Sequence, residues 1–168
     1  VRIPVDRDHF SEETAEFIEE NNAAVNDGES YGLSKYRLEP AYPAGAKRVL
    51  VVEDNAELRI YIYNNLCDRY EVKDASNGKE ALGIVGSGWM PDMVVTDLMM
   101  PEMDGIELIN HIRNDFNTSH IPIIMCTAKH ENDTHLKAMR YGADGYIAKP
   151  FTMELLVARM ENLFERRR

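Results

Sequence analysis

The stretch MVVTDLMMPEMDG (residues 93–105) opens with apolar and β-branched residues and then ends the run on a carboxylate, Asp97. A strand that is apolar in both side-chain directions belongs in a parallel sheet covered by helices on both faces, because only there are both directions buried. An acid at the end of such a strand stands at the carboxyl edge of the sheet. GIELINHIRND follows, with Ile106, Ile109 and Ile112 spaced to share one helical face.

The same alternation runs outward from this unit. RVLVVED, YEVKDA, PDMVVTD, IPIIMCTA and GYIAKP read as strands. NAELRIYIYNNLCDR, NGKEALGIVGSG (opened by Asn77), GIELINHIRND, ENDTHLKAMRYG (closed by Gly142) and TMELLVARMENLFERR read as helices. Five successive βα units predict an α/β fold. Right-handed crossovers make it a doubly wound, parallel five-stranded sheet of flavodoxin-like order 2-1-3-4-5, with its functional crevice at the carboxyl ends of the strands.

Composition narrows the function classes. The 168 residues suffice for one packed domain plus an appendage, and 44% apolar residues supply its core. A formal charge of −10 argues against direct nucleic-acid binding, which needs clustered Lys and Arg. No apolar run approaches the roughly 20 residues of a membrane span, so no membrane contact is expected of these residues. Cys67 and Cys126 show neither disulfide nor metal spacing and read as reduced thiols, as in a cytoplasmic protein.

The strand ends carry the chemistry. Strand one ends in Glu53 and Asp54, strand three in Asp97, strand four in Thr127, and strand five in Lys149 before Pro150. Strands one and three are neighbours in this topology, so three carboxylates converge, and uncompensated they raise one another's pKa. A divalent cation resolves that conflict, and an oxygen-only set with room for water suits Mg²⁺. In such a site the Asp97 carboxylate can act as a nucleophile toward a phosphoryl donor, while Lys149 and the Thr127 hydroxyl hold phosphoryl oxygens. Taken singly, each residue also has an ordinary role: an acid at a strand end caps a turn, and a lysine is a solvated charge.

VLVVEDN, VVTDLMMPEMDG, CTA and YIAKPF, in this order and spacing, resemble the motifs of two-component response-regulator receiver domains, and the likeness covers residues 47–166. The resemblance implies phosphoryl transfer from a phosphohistidine domain of a histidine kinase onto Asp97. It further implies Asp54 as a direct Mg²⁺ ligand, Glu53 as a ligand through water, the Met99 carbonyl as another ligand, and Thr127 and Lys149 as switch and phosphate-binding residues. Glu53 departs from the commoner Asp of the family. Tyr146 is implied as a second switch residue, turning inward when Thr127 moves and rearranging the face of the fourth helix, fifth strand and fifth helix, through which phosphorylated copies dimerise. By the same likeness the peptide before Pro150 is cis, and Met99 with Lys129 sets a slow loss of the phosphoryl group.

The leader, residues 1–46, is acidic and rich in turn formers, and reads as a linker carrying one short helix over FSEETAEFIEENN. VRIPV at its start resembles the last strand of a histidine-kinase ATP-binding domain. That implies a hybrid kinase parent anchored in the inner membrane, with an output such as transcription regulation carried elsewhere, for instance on an arabinose-regulator-type helix-turn-helix domain. Other folds and sites fit these residues less well. Haloacid-dehalogenase-type phosphatases need a second Asp where Met99 stands. A flavodoxin-type FMN site is opposed by Glu53 and Asp54 in the first loop. The histidines of HENDTH are five apart rather than the four of a zinc helix. A receiver can also act as an interaction module without phosphorylation.

Overall fold

A computed structural model of the chain describes residue 36, residues 41–128, residue 140 and residues 142–166. The predicted leader helix, VRIPV, Lys129, HENDTH and nearly all of the predicted helix over 131–142 lie outside these described residues. Five strands, β1 (Arg48–Val52), β2 (Glu71–Ala75), β3 (Met93–Asp97), β4 (Ile123–Ala128) and β5 (Gly145–Lys149), form one sheet in the order β2-β1-β3-β4-β5. Every pairing is parallel, as the alternation predicts.

Burial explains the order. β3 is buried at all five positions, and β1 and β4 at all but one. These three strands hold the centre. β2 mixes buried Val72 and Ala75 with exposed Lys73, the charge pattern that keeps an edge strand from pairing further. Helices α1 (Ala56–Leu66) and α4 (Met153–Arg166) cover one face of the sheet. Leu58, Ile62, Leu66, Leu156 and Met160 pack there on Val49, Val51 and Val95. Helices α2 (Gly78–Gly86) and α3 (Gly105–Asn114) cover the other, where Leu108, Ile109 and Ile112 meet Leu50, Val94 and Met125. Each such side chain, fully buried, contributes about 1.5–3 kcal/mol from water exclusion.

Local chemistry sets where the helices start. The side chains of Asn55, Asn77 and Asp104 accept the backbone N–H of Leu58, Glu80 and Glu107 at 3.0, 2.8 and 2.9 Å. Each such cap stabilises its helix by about 1 kcal/mol. In α3 the expected face of Ile106, Ile109 and Ile112 packs against one core layer. Ile106 is only half-buried, and Leu108 joins Ile109 and Ile112 in the core. The offsets from Gly105 of three, four and seven residues describe a single helical stripe, and Ile106 lies beside it.

Gly105 couples this helix to the site. A Cβ there would stand 2.4 Å from the backbone oxygen of Asp97 and 3.0 Å from Leu98 Cα, both part of rigid backbone. Gly105→Ala is therefore expected to cost about 1–3 kcal/mol through overpacking, read as a lower thermal unfolding midpoint. The displaced groups belong to the strand end that carries Asp97.

Candidate functional site

The carboxyl ends of three adjacent strands deliver the polar residues. Register places Asp97 opposite Cys126, Thr127 opposite Ala148, and Ala128 opposite Lys149, so β4 and β5 end level and run two residues beyond Asp97. Glu53 extends β1, its N–H donating to the Ala75 carbonyl at 3.0 Å. Carboxylate oxygens of Glu53, Asp54 and Asp97 all lie within 4.8 Å of one another, so the convergence predicted from topology is present. Glu53 and Asp97 are buried, and Asp54 is exposed at the mouth.

Lys149 Nζ reaches into this group. It donates to Glu53 Oε2 at 3.0 Å and lies 3.3 Å from Asp97 Oδ2. The second contact is an ion pair without hydrogen-bond geometry, and Asp97 Oδ2 is a buried oxygen with no hydrogen-bond partner. The other Asp97 oxygen, Oδ1, accepts the Leu98 N–H at 2.8 Å, and Glu53 Oε1 accepts the Asn55 N–H at 3.3 Å.

One buried ammonium cannot balance three carboxylates. Burial, assisted by the Asp97 charge and opposed by Lys149, pushes the Glu53 carboxyl up to about 8. Asp97 is also raised above the usual carboxylate range, first by burial and then by Asp54, against the lowering effect of Lys149. Desolvation is thus the larger cause, and the mutual repulsion expected from sequence comes second. For Lys149, burial favours the neutral amine, but Glu53 and Asp97 more than offset it and hold the lysine charged.

A hard divalent cation fits this donor set. Three carboxylates offer oxygen only, one is open to solvent for bound waters, and Asp97 Oδ2 has an unused acceptor in a buried position. Met99 stands two residues after Asp97 and is 57% exposed. Thr127 is buried beside Asp97's strand, and Tyr146, on β5, is half-buried against the α2–α3 core layer. The Lys149–Pro150 peptide is cis.

Other contributors carry no motif signal in the sequence. The Leu98 N–H is a backbone group, and the Gly105 approach depends on tertiary packing. Arg59, one turn into α1, donates from Nη1 to the Glu53 carbonyl at 2.8 Å and from Nε to Asp74 Oδ2 at 3.0 Å. Among the described residues, no helix is long and apolar enough to cross a membrane.

Residues 49–161 match the family described as Response regulator receiver domain. The chain is 37% identical over 121 residues to chemotaxis protein CheY of Pseudomonas aeruginosa, covering 71% of this chain and 97% of that protein. It is 38% identical over 119 residues to Histidine kinase P4 of Formosa agariphila, covering 71% of this chain but only 9% of that protein. In sensor histidine kinase TmoS of Ectopseudomonas mendocina the match spans 13% of the protein. Among solved structures, chemotaxis response regulator CheY4 of Vibrio cholerae superimposes with a TM-score of 0.65 at 30% identity, over 70% of this chain and 98% of that one. With the sheet order, the acidic strand ends and these matches in hand, the chain belongs to the response-regulator receiver domains of two-component signalling.

Proposed function

We propose that the domain accepts a phosphoryl group on Asp97 with Mg²⁺ bound by Asp54, Asp97, the Met99 carbonyl and, through water, Glu53. The observation that supports this most is the buried Asp97 carboxylate, within 4.8 Å of two further carboxylates, whose Oδ2 lacks a hydrogen-bond partner and lies 3.3 Å from Lys149. A bound Mg²⁺ would neutralise the carboxylates and the donor's phosphoryl oxygens. An Asp97 carboxylate oxygen attacks phosphorus, a P–O bond forms, and the donor's P–N or P–O bond breaks with its electron pair leaving on the donor. Lys149 and the Thr127 hydroxyl stabilise the charge that develops on the phosphoryl oxygens. Displacing Lys149 from Glu53 and Asp97 toward the new phosphoryl group, together with Thr127 and Tyr146, is the switch.

The donor is a phosphohistidine domain of a histidine kinase, and a small acyl phosphate replaces it in vitro. Matches to small parts of histidine kinases, 9% and 13% of two of them, support a hybrid kinase parent in which residues 1–46 link the receiver to the preceding domain and the receiver works in the cytoplasm. The output, such as transcription regulation, and phosphorylation-dependent dimer formation belong to the same proposal.

Intact-protein mass after incubation with acetyl phosphate tests it. One added phosphoryl group is expected with Mg²⁺ and none with a chelator. Absence of any gain in folded, Mg²⁺-binding protein would favour an interaction module that works without phosphorylation.

A further inference from the structure

Tyr36, from the acidic leader, sits on the domain rather than beside it. Its hydroxyl donates to Asp74 Oδ2 on β2, and its ring meets the Tyr63 ring of α1 edge-on, with centroids 5.1 Å apart at 87°. Arg59 completes the cluster, with Nε 3.4 Å from the Tyr36 oxygen and 3.0 Å from Asp74 Oδ2. The Arg59–Asp74 pair is largely shielded, its side chains 16% and 20% exposed. Such shielding keeps a charge-assisted pair from being screened by salt as a surface pair is.

The same guanidinium reaches the acidic site. Arg59 Nη1 donates to the Glu53 carbonyl at 2.8 Å, in the turn that carries Glu53 and Asp54 into α1. One planar side chain therefore bonds at one end to the leader's docking partner and at the other to the backbone of the acidic loop. Arginine's rigid fork makes the two contacts interdependent, since rotating one nitrogen moves the others.

From this arrangement we infer that Tyr36 is a docking residue by which the leader is held in cis on the α1–β2 surface, and that Arg59 transmits this docking to the Glu53–Asp54 turn. The occupant of the surface is the protein's own segment, recognised by a phenol that pairs its ring with Tyr63 and its hydroxyl with a carboxylate. A leader pulled away, by whatever domain it is joined to, would loosen Arg59 and with it the turn. This inference goes beyond phosphoryl acceptance and stands whether or not Asp97 takes up phosphate.

Backbone relaxation and amide shifts by NMR on the full 168-residue chain test it without Mg²⁺ or any phosphodonor. In wild type the Tyr36 amide should show an order parameter near the rigid value of about 0.85, falling below about 0.6 in Tyr36→Ala. Tyr36→Phe, which keeps the ring contact and removes the hydroxyl, should fall between them. The amides of Glu53, Asp54 and Asn55 should shift in Tyr36→Ala, while those of β3 and β4 stay in place. A Tyr36 amide already below about 0.6 in wild type would overturn the docking. Unmoved Glu53 to Asn55 amides, or shifts spread evenly over the sheet, would overturn the transmission through Arg59.

Discussion

Asp97→Asn should take up no phosphoryl group from acetyl phosphate and Mg²⁺, yet unfold at a higher temperature than wild type in divalent-free buffer. Both effects follow from one buried carboxylate. The amide has no nucleophilic oxygen anion, so acyl phosphate cannot form, while its carbonyl oxygen can still accept the Leu98 N–H that now reaches Oδ1 at 2.8 Å. Meanwhile the substitution removes one of two buried acids that a single ammonium must serve, and Lys149 keeps its 3.0 Å bond to Glu53 Oε2. Breaking a buried ion pair normally destabilises, because a lone charge is left behind. Here the lysine retains a partner, so relief of crowding should win by about 1–3 kcal/mol. Intact mass and thermal unfolding read the two effects separately. Undiminished uptake by the variant would place the nucleophile elsewhere, and a lower midpoint would mean that the Asp97–Lys149 attraction exceeds the cost of burying both acids.

The split between what could and could not be read from sequence has a physical pattern. Apolar runs and helical spacing are local, so the strands of RVLVVED and PDMVVTD and the helix opened by Asn77 were legible. Once the strand order is known, the meeting of Glu53, Asp54, Asp97 and Lys149 follows from their shared place at the carboxyl edge of the sheet. The details that depend on side-chain reach were hidden. Nothing in the spacing says that Lys149 leans on Glu53 more closely than on Asp97, or that desolvation outweighs repulsion in raising both acids. That Leu108 is buried more deeply than Ile106 in the same core layer has the same origin, since depth within an apolar stripe is settled by what the sheet presents to it. Arg59 and Tyr36 show it most clearly, because a guanidinium spanning Asp74 and the Glu53 carbonyl leaves no trace in the pattern of either segment.

Stability and metal affinity should move in opposite directions with pH. Burial, the Asp97 charge and the partial compensation by Lys149 bring the Glu53 carboxyl from an ordinary 4.5 to about 8 in the folded protein. The folded state therefore holds a proton that the unfolded chain has already released. That contribution to stability is complete below about 4.5 and is lost as pH rises toward about 8. Asp97, raised in the same direction, acts with the same sign and titrates jointly with Glu53. Lys149, held charged, does not change state in this window. Metal-free protein should therefore lose a few kcal/mol, as an order of magnitude, between mildly acidic and mildly alkaline buffer. Mg²⁺ competes with the same proton, so its affinity should rise over that range, and its binding should restore the unfolding midpoint most at the alkaline end. Glu53→Gln keeps the side chain's size and removes its titration, so it should make the metal-free profile shallower, leaving the share that Asp97 carries, and weaken the pH dependence of Mg²⁺ affinity. Thermal unfolding across this range, with and without Mg²⁺, reads both slopes. A metal-free midpoint that climbs with pH would mean that Lys149 keeps Glu53 ionised throughout, and that the acidic strand ends are balanced without a cation.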